Sequence, residues 1–102
     1  AAAAAELETR LAAEDLVRVV DAQLAGFLED RGALKRVGDG FAVSAGLYAR
    51  GLEALETLSP ITLAGFRDTL GVSRRTAQLL LERYDADGIT LRVGDERKLR
   101  RR

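Results

Sequence analysis

The chain has 102 residues and a mass of 11.0 kDa; 47% of its residues are hydrophobic, 31% are charged, and the formal net charge is zero, with one proline and no cysteine, histidine or methionine. That balance describes a folding globular sequence rather than a disordered one. It excludes disulfide staples, thiol chemistry, thiolate zinc sites and histidine as a general base. No stretch approaches the roughly 18 apolar residues that span a bilayer, and the alanine run at residues 1–5 lacks the flanks of a signal peptide, so no membrane partner is expected and a cytoplasmic location is the default. Alanine at position 1 leads us to expect a fragment or processed product of a longer protein.

Residues 1–13 are rich in alanine, leucine and glutamate and predict a helix. Their small, irregular apolar positions read as the tail of an element whose partners lie upstream. From Asp15, the spacing of Leu16, Val20, Leu24, Phe27 and Leu28 predicts a second helix ending near Arg31-Gly32. The β-branched Val17, Val19 and Val20 leave its first turn open to a short strand. Residues 33–37 and 41–43 flank Gly38-Asp39-Gly40, which suits a hairpin turn. Leu47, Leu52, Leu55 and Leu58 mark a connecting helix that starts at or just after Ser44 and stops before Pro60.

Beyond the proline, Thr62 caps a short helix with Leu63, Phe66 and Leu70 on one face. Gly71-Val72 supplies a turn, and Ser73 caps the next helix, whose inward stripe is Ala77, Leu80, Leu81 and Tyr84. Gly88 ends that helix. Residues 89–93 and 97–99 then form a hairpin around Gly94-Asp95-Glu96. Helix, tight turn, helix and hairpin follow one another in the order of a winged helix-turn-helix.

The chain also repeats itself. Gly32 and Arg36-Val37-Gly38-Asp39 recur 56 positions later as Gly88 and Arg92-Val93-Gly94-Asp95. The expected fold is therefore mainly α with small β-hairpins (α+β), built as tandem winged helix-turn-helix modules. Residues 1–46 form a first module incomplete at its N-terminal side, residues 47–58 the connecting helix, and residues 59–102 the second module.

Charge separates the two. Residues 1–59 carry 6 basic and 10 acidic side chains, whereas residues 60–102 carry 10 basic and 6 acidic. The basic half is the candidate polyanion-binding half. Arg74, Arg75 and Gln78 fall at the start of the last helix, away from its inward stripe, where guanidinium groups and free backbone N–H groups together suit a phosphate. Ser73 both caps that helix and offers a hydroxyl. Arg92, Gly94, Arg97, Lys98 and Arg100 lie on or beside the second hairpin, and Arg101 and Arg102 extend the charge. A basic helix start and a basic wing are two separated contacts on one nucleic-acid backbone. The first hairpin carries Lys35 and Arg36, but the helix before it carries Asp21, Glu29 and Asp30, which repel phosphates. That module is expected to space or orient the second. Asp85 and Asp87 lack the further oxygen ligands of a magnesium site and read as a solvated helix end. No phosphate-loop context surrounds the glycines, and no catalysis is expected within these residues.

The run from Pro60 to Arg75, with residues 79–85 and 88–95, resembles the last winged-helix domain of the bacterial selenocysteine-specific elongation factor family, SelB; the preceding residues resemble the penultimate one. The resemblance implies an RNA-binding fragment of a factor that decodes UGA as selenocysteine. Its partner would be the selenocysteine insertion hairpin of the messenger. GTP and magnesium would bind a missing N-terminal GTPase region, and the ribosome and selenocysteyl-tRNA would be engaged through the full-length protein. The resemblance places the RNA contacts at Ser73, Arg74 and Arg75 and along residues 92–97. A DNA-binding winged-helix transcription regulator is the alternative reading.

Overall fold

The structure, a computed structural model, describes residues 2–100; Arg101 and Arg102 lie outside the described residues. It divides into two compact units, Ala1–Tyr48 and Ala49–Arg102. Each holds a three-stranded antiparallel sheet, so the chain is mainly α with small sheets, an α+β architecture of winged-helix type.

In the first unit, helix α1 (Ala2–Ala13) precedes strand β1 (Val17–Arg18), helix α2 (Ala22–Asp30) and strands β2 (Leu34–Arg36) and β3 (Phe41–Ser44). The sheet order is β1-β3-β2, with Val17 opposite Ala42 and Lys35 opposite Val43. Helix α1 does not lack partners: Leu7 and Leu11 are buried and join Val17, Leu28, Leu34 and Ala42 in one cluster, with Ala4 packed against it. Positions 4, 7 and 11 form one face of a helix, which the abundance of small alanines obscures in the sequence.

The second helix begins later than its apolar spacing suggests. Asp21 caps α2, its Oδ1 accepting from the Leu24 backbone N–H at 3.1 Å, and Val17–Arg18 is drawn into the sheet instead. Val20 and Phe27, both counted in the expected apolar stripe, are therefore outside it: Val20 is 93% exposed and Phe27 53%. The Arg31 guanidinium lies over the Phe27 ring, 5.4 Å from its centroid.

Helix α3 (Ala45–Glu56) starts directly after β3, and the boundary between the units falls inside it. The second unit continues with β4 (Ile61–Thr62), α4 (Leu63–Leu70), α5 (Arg74–Ala86), β5 (Thr90–Val93) and β6 (Glu96–Leu99). Its sheet order, β4-β6-β5, repeats that of the first unit. Strand β4 is too short to show a period in the sequence; it adds a third strand to the expected hairpin by pairing Ile61 with Arg97. Ala77, Leu80, Leu81 and Tyr84 are all fully buried, and Tyr84 meets Phe66 edge to face with ring centroids 6.0 Å apart.

The two units differ at one telling place. Two helices, α4 and α5, stand between the first two strands of the second unit's sheet, but only α2 stands between β1 and β2. Three residues, 19–21, replace the first helix of the pair. The second unit thus carries the whole helix-turn-helix and wing; the first carries a wing on a single helix.

Candidate nucleic-acid interface

The helix-turn-helix of the second unit is fixed at three points by local chemistry. The Thr62 hydroxyl oxygen accepts from the Gly65 N–H at 3.0 Å and starts α4. Gly71 ends it with φ 74°, a left-handed conformation that a side chain would disfavour. Ser73 starts α5, its Oγ accepting from the Thr76 N–H at 3.1 Å. The same hydroxyl donates to Thr76 Oγ1 at 3.0 Å. Its proton is therefore directed into the cap, and Ser73 serves a partner chiefly by holding the helix start.

Arg74, Arg75 and Gln78 are exposed on that start, as their spacing predicts. The wing stands beside them. Its turn is Gly94-Asp95, two residues with Gly94 at φ 63°, and Glu96 belongs to the strand. A positive φ at the first turn position matches the twist of the flanking strands. Arg92 folds over this turn, Nε donating to the Gly94 carbonyl at 3.0 Å.

Register then sorts the wing charges. Arg92 pairs with Arg97 and so shares one face of the hairpin with it, while Leu91 pairs with Lys98 and Val93 with Glu96 on the other. Arg74 and Gln78 of α5, and Arg92 and Arg97 of the wing, line one groove, closed by Leu63, Glu82 and Asp95. Lys98 lies across the hairpin, lining a different depression with Pro60 and Leu99. Arg100 is exposed at the strand end, its backbone N–H bonded to the Ile89 carbonyl at 2.9 Å.

Arg97, expected as a nucleic-acid contact on the wing, is not displayed to solvent. It is 8% exposed. Its Nε lies 3.1 Å from each Asp85 carboxylate oxygen and its Nη2 3.0 Å from Oδ2, a two-toothed ion pair. Thr90, 2% exposed, donates its hydroxyl to Asp85 Oδ1 at 2.6 Å. Asp85 is thus no solvated helix end: it fastens both strands of the wing to the last turn of α5. The signal was present in the strand period, because Thr90 and Leu99 face the helix as a pair and Arg97, two residues before Leu99, must face it too.

The first unit uses its charges internally. Glu29, 56 residues before Asp85, accepts from the Arg36 backbone N–H at 2.7 Å and from Arg36 Nε at 3.3 Å. Lys35 Nζ sits 5.0 Å above the Tyr48 ring. Its turn also differs from that of the second unit: Asp39 (φ 60°) and Gly40 (φ 76°) bend the chain, whereas in the matching sequence Gly94 does.

A complete winged helix with a groove between its helix start and its wing is the class of module this geometry defines. Residues 53–99 match the family model described as elongation factor SelB, winged helix, which bears out over those residues the resemblance read from the sequence. Two solved structures are similar. The crystal structure of a bacterial selenocysteine-specific elongation factor aligns with a TM-score of 0.80 and 22% identity over 96% of this chain. The structure of the mRNA-binding domain of elongation factor SelB from E. coli in complex with SECIS RNA aligns with a TM-score of 0.67 and 23% identity, over 78% of this chain and 69% of that one. The chain spans 18% of the length of the first. No curated protein sequence matches it.

Proposed function

We propose that this chain binds a structured RNA hairpin, the selenocysteine insertion element of a messenger, and so tethers a selenocysteine-specific elongation factor to the message where UGA is recoded. The observation that carries the reading is the single groove of Arg74, Gln78 and Arg92 between the helix start and the wing, on a module that matches the SelB winged helix. An A-form helix has a major groove too narrow and deep for a recognition helix, so contacts go to the backbone and to a loop or bulged base. GTP hydrolysis with magnesium, selenocysteyl-tRNA and the ribosome belong, on this reading, to other parts of a longer cytoplasmic protein.

The test is binding of the chain to an RNA hairpin and to a DNA duplex of equal length at one salt concentration. Preference for the hairpin is expected. Equal affinity would favour a DNA-binding regulator, and no affinity for either would favour a protein-binding role.

A further inference from the structure

The groove holds four basic or amide side chains, yet only some of them are available to a ligand. Arg97 lines it while its guanidinium is committed to Asp85. Resting on the RNA-binding reading above, we propose that Asp85 is a positioning residue that sets RNA selectivity: it withholds the Arg97 charge from the groove and fixes the wing against α5, so that a ligand is met by Arg74 and Arg92 at one set distance.

Three features support this. The carboxylate accepts from both strands of the wing, from Thr90 on β5 and Arg97 on β6, so it constrains the hairpin as a whole. Both partners are buried, at 2% and 8% exposure, and an ion pair so placed depends on the partner's presence rather than on chance encounter at a surface. The other unit places its acid at the matching site but ties it to the first strand, holding Arg36 rather than a residue of its last strand. Arg92, the counterpart of Arg36, bonds instead to the Gly94 carbonyl in its own turn and lines the groove. Ala42 stands opposite Arg36 where Arg97 stands opposite Arg92, so the second unit gives its acid a second arginine to hold and leaves Arg92 in the groove.

Without the carboxylate, Arg97 is a buried cation that has lost its ion-pair partner, and the acids that remain near it, Glu82 and Asp95, line the groove. Burial then disfavours its inward position, and the groove it already lines is the way out. A mobile cation added to the groove attracts any polyanion, and a loosened wing no longer prefers one shape.

The experiment compares wild type, Asp85→Asn and the double variant Asp85→Asn/Arg97→Gln, each titrated with an RNA hairpin carrying a bulged base and with an unrelated single-stranded RNA of the same length over a salt series. For Asp85→Asn, affinity for the unrelated RNA is expected to rise several-fold. The hairpin preference should fall about tenfold, and the slope of log affinity against log salt should steepen by about 0.7–0.9, one added phosphate contact. The double variant releases no cation but leaves the wing untied, so it should recover the wild-type slope and only part of the preference; a purely structural role for Asp85 predicts no recovery. An unchanged preference in Asp85→Asn, or a double variant as unselective as the single one, would overturn the proposal. If Asp85→Asn gives no cooperative thermal transition, Arg97→Gln decides instead: a withheld charge makes no phosphate contact, so an unchanged slope is expected, and a slope flattened by about 0.7–0.9 would overturn the proposal. Wild-type protein that binds neither RNA overturns the RNA-binding reading together with this one, whereas a selective wild type with an indifferent Asp85→Asn overturns only this one.

Discussion

Replacing Arg74 and Arg75 together by alanine removes the two guanidinium groups at the start of α5 and should weaken hairpin binding. The salt plot should flatten by about 1.5, the value for two phosphate contacts at roughly 0.7–0.9 each. Lys35→Ala/Arg36→Ala should change binding little, since those charges already face Tyr48 and Glu29 inside the first unit. A loss at the first wing equal to that at α5 would place the interface on the wrong unit. Ser73→Ala should lower stability by about 1 kcal/mol through the lost cap, read as a reduced denaturation midpoint. At this scale the helix start was legible, because Ser73, Arg74, Arg75 and Gln78 follow from capping and a period of 3.6. The partners of Arg97 were not: an ion pair twelve residues apart depends on how a hairpin lies on a helix, and composition shows only that an arginine and an aspartate exist.

Elements were legible where a cap or a breaker marks them and hidden where pairing alone creates them. Thr62, Gly71 and Gly88 bound α4 and α5 as read. Strands β1 and β4, two residues each, exist because β3 and β6 offer them an edge, and so the helix expected from Asp15 lost its first turns. The repeated Arg-Val-Gly-Asp also shows that equal sequence does not impose equal backbone, since the residue after it, Gly40 in one copy and Glu96 in the other, differs in what it tolerates. Helix α3 has a more exacting requirement. A methyl group at Gly51 would collide with the Tyr84 hydroxyl and stand 3.2 Å from the Phe66 ring. Tyr84 and Phe66 are fully buried and have little room to give. Gly51→Ala is expected to destabilise the second unit by about 1–3 kcal/mol, measured by denaturant unfolding, despite the higher helix propensity of alanine.

Across the whole molecule, the split of charge between the halves, 6 basic and 10 acidic against 10 and 6, steers a polyanion toward one unit while the sum stays at zero. A protein without net charge has little general repulsion to keep its copies apart, which turns attention to the outer strand of the second wing. Strand β5 is the edge of its sheet, and its Leu91 and Val93 are about half exposed on the face opposite the groove. An unpaired apolar edge invites a strand from another copy. On that face their cross-strand partners are Lys98 and Glu96, so a pair of charges interrupts an adhesive surface. Glu96→Val/Lys98→Val should therefore yield a protein that associates with rising concentration, visible as increasing mass in light scattering, where the wild type stays constant. Two charges on the outer face thus guard the wing against its own copies, while its other face keeps the groove.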